Sequence, residues 1–327
     1  MIISRTPFRI SFFGGGTDYP AWYEKHGGAV LSTTIDKYCY INIRYLPPFF
    51  EHKHRIVYSN IENVRSIDEI HHPVVKALLK YFNIEKGVEV HHDGDLPARS
   101  GLGSSSAFTV GMLNSLYALK GSIISKSELA KQAIDIERNV LKENVGSQDQ
   151  VAVSYGGFNK ITFHKNHNFL IEPMTLQKDR IAELETHLML IFTGFSRFAS
   201  EIAEEQIKNT QDRKNELTEM KQMVDHSIGI LNSNQDIVDF GKLLHESWQL
   251  KKCLSSKISN QALDDLYKNA LRHGAVGGKL LGAGGGGFML LFVRPEDREK
   301  LKQSLNDYLE VKFTFDSEGS QIIYYNP

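Results

Sequence analysis

The segment Asp95-Leu96-Pro97-Ala98-Arg99-Ser100-Gly101-Leu102-Gly103-Ser104-Ser105-Ser106-Ala107-Phe108 carries residue types suited to holding an anion. Gly101 and Gly103 remove side chains where a ligand would approach the backbone closely. The three serines that follow can cap a helix, whose first turn presents unpaired N–H groups and the positive end of its dipole. Phosphate is the obvious candidate for such a place. An ordinary helix cap after a Gly/Ser loop uses the same residues, so the segment gains weight from its companions.

Three further clusters accompany it. Near the N-terminus, Arg9 lies between Phe8 and Ile10 in a strand-like run, and Gly14-Gly15-Gly16-Thr17 leads to Asp18. Packed neighbours would aim the guanidinium, and a tight turn would place the carboxylate; a Gly-rich hairpin whose Asp caps its own turn is equally consistent. Glu137 and, beyond Glu143-Asn144-Val145-Gly146-Ser147-Gln148, Asp149 offer two carboxylates with separate duties, one for a metal and one for a proton. Last comes Lys279-Leu280-Leu281-Gly282-Ala283-Gly284-Gly285-Gly286-Gly287-Phe288. Its glycines satisfy GxGxxG, but a dinucleotide site needs a strand before them and a helix after. The pattern here reads as a helix before and a strand after. A Walker A loop is also absent, because Lys279 is followed by Leu280.

The elements that must position these residues follow from periodicity. Phe8 to Phe13, Ala29 to Ser32 and Tyr38 to Tyr45 are strand-like; Pro47-Pro48 interrupts, and His52 to Val57 resumes. Pro73 to Tyr81 reads as a helix, Val88 to His92 as a strand, and Ser104 to about Leu119 as a helix. The next helix begins at a capping box, Ser125 to Glu128, with Leu129, Ala133, Ile136 and Val140 on its apolar face and Glu137 at the edge, looking toward a cleft. Asp149 then falls in a polar loop. One long charged helix is expected from Ala199 to Asn232, then helices near Ile237 to Leu254 and Ala262 to Arg272, with Gly274 closing the last. Strands at Phe288 to Val293, Val311 to Phe315 and Gln321 to Tyr325, with a helix from Pro295 to Tyr308, complete an α+β pattern.

At 327 residues with 41% hydrophobic content, two domains are expected, 1–185 and 186–327. The net charge of −1 gives no basis for a nucleic-acid surface or an anionic membrane partner. Cys39 and Cys253 form neither a zinc motif nor a disulfide framework, and no signal-like or membrane-spanning run is evident, so a cytoplasmic setting is expected. The oligomeric state is not set by these features, and a homodimer stays open.

Taken together, the four elements resemble the GHMP kinase superfamily over essentially the whole chain. Pro97 through Ala107 meets its P-x-x-x-G-L-G-S-S-(A/S)-A motif, Thr6 through Tyr19 its first motif, and Gly282 to Gly287 its third. The resemblance implies a two-domain α+β fold, with a ribosomal protein S5 domain 2-like N-terminal domain and a ferredoxin-like C-terminal domain. ATP with Mg²⁺ would lie between them. It implies that Pro97, Gly101, Leu102, Gly103, Ser104, Ser105, Ser106 and Gly284 hold the nucleotide, and that Ser105 with Glu137 holds the metal. Asp149 matches the catalytic base, Arg9 the basic residue beside it, and Asp18 a sugar-hydroxyl ligand. Galactokinases carry Glu-His where this chain has Gly15-Gly16, which argues against galactose. That turn, with Gly146-Ser147-Gln148-Asp149-Gln150 and Thr193-Gly194-Phe195-Ser196-Arg197, is similar to the heptose 7-phosphate kinase branch, with fucokinase-type enzymes close by. The expected reaction is phosphorylation of an anomeric hydroxyl, with Gly15, Gly16 and Arg197 on the acceptor side. Arg197, Lys160, Arg99 and His164 are the candidates for a substrate phosphate. A kinase of an unphosphorylated sugar such as fucose, or a non-catalytic sugar-nucleotide sensor, remains open.

Overall fold

The computed structural model describes residues 1–98, 100–194 and 199–327. Thirteen strands are defined among them: β1 (Ile2–Phe13), β2 (Gly28–Tyr45), β3 (His54–Val57), β4 (Ile61–Val64), β5 (Val88–Gly94), β6 (Asn159–Phe163), β7 (Phe169–Pro173), β8 (Leu188–Phe192), β9 (Ala275–Leu280), β10 (Phe288–Val293), β11 (Leu309–Val311), β12 (Phe315–Asp316) and β13 (Gln321–Tyr325). The α-helices are α1 (Pro20–His26), α2 (Pro73–Tyr81), α3 (Ser104–Leu119), α4 (Lys126–Asp135), α5 (Gln148–Tyr155), α6 (Lys178–His187), α7 (Ala199–Asn209), α8 (Lys214–Leu231), α9 (Val238–Cys253), α10 (Gln261–Arg272) and α11 (Arg298–Ser304).

Two sheets result. The larger runs β13-β1-β2-β5-β3-β4, with β12 and β6 also on β2 and β7 beyond β6; the smaller runs β11-β8-β10-β9. β1 and β2 form the antiparallel spine, pairing Ile2 with Ile43 and Arg9 with Thr34. β-branched and aromatic residues dominate both strands and suit a pleated, packed surface. The buried α3 lies against this spine, with Val110, Met112, Leu113 and Leu116 fully enclosed. Gly111 lets it approach, since a Cβ there would stand 2.9 Å from Thr6 Oγ1.

An aromatic knot joins the two sheets' layers. Phe12 packs on Phe158, Phe240 and Phe315 at centroid separations of 5.6, 5.5 and 6.1 Å, and Phe13 meets Phe240 edge-on at 5.1 Å. Such pairs each add about 0.5–1.5 kcal/mol beyond area burial. Because Phe12 and Phe13 end β1 while Phe240 lies on α9, the knot fixes the Gly14–Gly16 turn relative to the C-terminal helices.

Several expectations are revised. The long charged helix is broken at residues 210–213, where Asp212 and Arg213 both donate to Asn209 O, dividing it into α7 and α8. Asn, Asp and Thr favour such interruptions through local hydrogen bonding. Residues 275–280 are a strand rather than a helix end: Gly277 lies under α9, where a Cβ would come within 2.0 Å of Gly241 O. The glycines after it therefore link two antiparallel strands, and no helix follows them, so the dinucleotide pattern still fails. The helix expected over Pro295 to Tyr308 shortens to a 3₁₀ turn, Pro295–Asp297, and α11. β12 and β13 return to the larger sheet, against β2 and β1. Among the described residues, no helix is long and apolar enough to cross a membrane.

Candidate active site

The phosphate-loop candidate sits where the larger sheet meets the glycine-rich turn between β9 and β10. Gly101 and Gly103 adopt φ of +83° and +74°, conformations that L side chains rarely take. Gly103 is the N-cap of α3 and brings no side chain to it; the first helical bond is Ala107 N to Gly103 O at 2.8 Å. The helix therefore starts with its first-turn amides directed past its end, the arrangement that receives anions. Leu102 is fully buried and its carbonyl accepts Arg9 N at 3.0 Å, so the loop is tied to β1 through backbone.

Arg9 ties it a second time. Nη1 donates to Gly101 O at 2.7 Å, while Nε and Nη2 donate to Asp149 Oδ1 and Oδ2, both at 2.8 Å. The Arg9 side chain is 3% exposed and the Asp149 side chain 26%, so a buried arginine holds a carboxylate that stays partly open to solvent. A two-bond fork fixes orientation as well as distance. Asp149 is not in a loop as expected: it occupies the first turn of α5, where an acidic residue matches the dipole.

Asp18 sets where that helix begins. It is 1% exposed, and its oxygens accept Gly16 N at 2.9 Å and Gln148 N at 3.3 Å, while its own carbonyl accepts Ser147 N at 3.0 Å. Gly146 is required beside it, because a Cβ there would lie 1.9 Å from Asp18 Oδ2. Burial pushes the Asp18 carboxyl up, the Gly16 amide opposes this, and the Asp149 charge adds to the rise. Tyr19 follows in the same cluster; burial first, then Asp18 and Asp149, push its phenol up.

Glu137 is fully enclosed. Residues Ile136–Val140 form a π turn at the end of α4, a feature that often re-aims side chains at functional sites. It also explains a revision: Val140, expected on the apolar face, is 47% exposed, whereas Leu129, Ala133 and Ile136 are buried as expected. Glu137 Oε2 accepts Ser106 Oγ at 3.0 Å and Gln150 Nε2, while Oε1 has no hydrogen-bond partner among the described residues. Burial pushes this carboxyl up to about 7, against the hydrogen bond from Gln150. Ser106 is thus the serine touching Glu137. Ser105, the expected partner, is exposed one position earlier on the same turn and no bond joins it to Glu137.

The third-motif glycines back the phosphate loop. A Cβ on Gly282 would stand 2.5 Å from Gly101 Cα, one on Gly101 would stand 2.5 Å from Leu281 O, and Phe288 N donates to Ser100 O at 3.0 Å. Gly284 faces Ile258 instead, with 2.8 Å available to that Cα. Gly101→Ala combines left-handed strain of about 1–2 kcal/mol with overpacking of about 1–3 kcal/mol. The variant's urea midpoint should fall accordingly, and a wild-type midpoint would show that the two loops are not in tight contact.

Two buried lysines went unread. Lys251, 6% exposed, donates to Leu280 O and Gly282 O; Lys279, 2% exposed, donates to Phe12 O at 2.7 Å. The signal was present for the first, since Leu244, Trp248 and Lys251 share one helical face. Of the other expected residues, Gly15 lies next to Gln148 and Gly16 next to Leu217, and Pro97 is half-buried. Lys160 pairs with Asp225 at 2.6 Å and His164 is exposed in the β6–β7 hairpin, so neither joins the cluster. Arg197 and Arg99 lie outside the described residues.

Residues 69–157 match the family description GHMP kinases N terminal domain, and residues 229–311 match GHMP kinases C terminal. The chain is 31% identical to the D-glycero-alpha-D-manno-heptose 7-phosphate kinase of Campylobacter jejuni, covering 97% of each protein. A crystal structure described as a D-glycero-D-manno-heptose 1-phosphate kinase from Bacteriodes thetaiotaomicron superposes with a TM-score of 0.81 at 25% identity, over 100% of both chains. A Campylobacter jejuni structure described as a putative sugar kinase gives a TM-score of 0.71 at 28% identity, over 98% of both chains.

Proposed function

This chain belongs to the GHMP kinase family, and we propose that it transfers the γ-phosphoryl group of ATP to the anomeric hydroxyl of a heptose 7-phosphate, D-glycero-D-manno-heptose 7-phosphate, giving the 1,7-bisphosphate for nucleotide-activated heptose synthesis. The observation that carries the reading is the Arg9–Asp149 fork, poised between the phosphate loop and the Gly14–Gly16 turn. In the proposed arrangement the α3 N-terminus and the loop 101–106 cradle the triphosphate. Asp149 keeps a lone pair on each oxygen for the acceptor hydroxyl, aligning it and taking its proton as transfer proceeds. Arg9 holds that carboxylate in place and offsets charge on the transferring group. Phosphoryl transfer depends mostly on such positioning and electrostatics. Asp18, spent on backbone amides, supports the acceptor side by fixing the start of α5.

The residues around Glu137 fit a magnesium ion brought in with the nucleotide. An enclosed carboxylate with one oxygen lacking a partner, beside a serine hydroxyl, supplies hard oxygen donors. Mg²⁺ usually takes one or two protein carboxylates and keeps waters and substrate phosphates as its other ligands. Glu137, with Ser105 or Ser106, would hold it. When bound, Mg²⁺ neutralises phosphate charge.

The two heptose kinase relatives are named for phosphates at opposite ends of the sugar. An ADP-release assay over heptose 7-phosphate, heptose 1-phosphate and free fucose, with product position read by phosphorus NMR, separates the possibilities. The expected result is turnover on the 7-phosphate, with a new phosphate on C1. Preferential turnover of fucose would replace this acceptor, and ATP binding without ADP release from any sugar would favour a sensor.

A further inference from the structure

Lys251 is placed where an ammonium is hard to keep. It projects from α9, near the helix end, into a space that leaves it 6% exposed. Its Nζ donates to two carbonyls of one turn, Leu280 at 2.9 Å and Gly282 at 2.5 Å. Backbone carbonyls carry only partial charge, so they offset only part of the desolvation cost of a buried ammonium. The groups facing it are Arg9 from β1, Asp18 from the turn after β1, Lys279 from β9 and the Trp248 ring, 6.0 Å away on its own helix. Asp18 alone among these is an acid, and it is already committed to two amides.

The two carbonyls explain why a cation is placed there. Gly282 lies directly against Gly101, whose carbonyl accepts Arg9 Nη1, and Arg9 in turn grips Asp149. Successive close contacts therefore connect Lys251 to Asp149: ammonium to glycine turn, turn to phosphate loop, loop to guanidinium, guanidinium to carboxylate. The far side of the turn is held by Gly285 N to Ile258 O at 2.9 Å, Gly287 N to Gly194 O at 2.7 Å and Gln206 Nε2 to Ala283 O at 2.8 Å, while Lys251 takes the carbonyls at its near side, Leu280 and Gly282, next to Gly101. We infer that Lys251 is a positioning residue whose ammonium clamps the 280–287 turn against the 100–103 loop and so sets the Arg9–Asp149 fork. Burial, then the Arg9 charge, lowers the Lys251 ammonium to about 7, with Asp18 opposing. The clamp therefore weakens as pH rises through that value, because the neutral amine is a poorer donor to the same carbonyls.

The kinase reading underlies only the consequence for turnover; the clamp is measurable without substrate. Full-length Lys251→Met, Lys251→Arg and wild type are compared by hydrogen exchange over residues 281–288 and 100–103 from pH 6 to pH 8.5, corrected for intrinsic rates. Lys251→Met should lose protection in both segments at every pH. Wild type should lose it progressively above pH 7, and Lys251→Arg, which stays protonated, should keep it throughout. With the acceptor found by the ADP-release assay, Lys251→Met should lower kcat by ~10–100-fold, the scale of a misplacement near 1 Å, and raise KM for ATP, because the loosened loop is the one proposed to cradle the triphosphate. Lys251→Arg should restore most of kcat. Equal protection in Lys251→Met and wild type overturns the inference, as does an arginine variant whose pH profile matches wild type. If the methionine variant does not fold, the arginine variant's pH profile decides. If no sugar is phosphorylated, the proposed function falls while the exchange result still decides the clamp.

Discussion

Asp149→Asn should lower kcat by ~10²–10⁴-fold while leaving KM for ATP within a few-fold of wild type. The amide keeps the shape of the carboxylate and one acceptor for the guanidinium, so Arg9 can stay near its place. It removes the charge that accepts or orients the hydroxyl proton, and it turns an NH₂ toward one of the two Arg9 donors 2.8 Å away. The loss should therefore appear in kcat and kcat/KM together, the signature of an interaction made in the transition state. Arg9→Lys gives the second arm, since lysine cannot form the fork or reach Gly101 O in the same way. If the pair acts as a unit, the double variant should be little worse than the more damaged single one. Steady-state ADP release over the four proteins measures this. Near-normal kcat in Asp149→Asn would remove Asp149 from the chemistry, and fully additive losses would separate it from Arg9.

Parts of this site were legible because they depend on residue identity at single positions. Gly101 and Gly282 can be nothing larger, since positive φ and backbone contacts at 2.5 Å leave no room for a Cβ, and Gly103 combines positive φ with the Arg9 side chain 3.1 Å from where a Cβ would stand. Such constraints are written directly into sequence, so the loop, Arg9 and Asp149 could be selected without coordinates. The family membership and its α+β fold followed from the same positions. What was misread depended on contacts between distant segments. The strand Ala275-Val276-Gly277-Gly278-Lys279-Leu280 has weak strand propensity and forms because Gly277 fits beneath α9 and Gly278 fits against Leu290 and Leu291 of β10. Lys251 and Lys252 look alike in sequence, yet one is enclosed and the other reaches Asp264 at 3.5 Å at the surface. The choice of Ser106 over Ser105 beside Glu137 is a matter of about 100° of helical rotation, finer than any spacing rule resolves.

Glu137 shows the same limit and yields the second large effect. An α-helical frame set it at the edge of an apolar face; the π turn rotates it wholly inside and moves Val140 out. Its carboxyl, pushed up to about 7 by burial, has a folded-state value above the ordinary 4.5. The folded protein therefore retains a proton between those values that the unfolded chain has released. The stability contributed is fully present below about pH 4.5 and is lost as pH rises through about 7. Glu137→Gln cannot titrate. In EDTA, its stability relative to wild type should therefore grow from pH 4.5 to pH 8, by up to about 3 kcal/mol for a shift of that size. Any fixed cost of the amide's unpartnered NH₂ cancels in the comparison across pH. With Mg²⁺ and ATP present the order should reverse: the carboxylate is then needed, and Glu137→Gln should lose on the order of 10²–10³ in turnover with a raised Mg²⁺ requirement. Urea midpoints at two pH values and a magnesium titration of kcat measure both halves. An unchanged Mg²⁺ dependence would remove Glu137 from the metal site, and a pH-independent stability difference would mean that its carboxyl titrates in the folded protein as it does in the unfolded chain. The opposition between the two halves is the physical argument for the role: an enclosed carboxylate with a spare oxygen destabilises the empty protein and becomes favourable when a cation arrives.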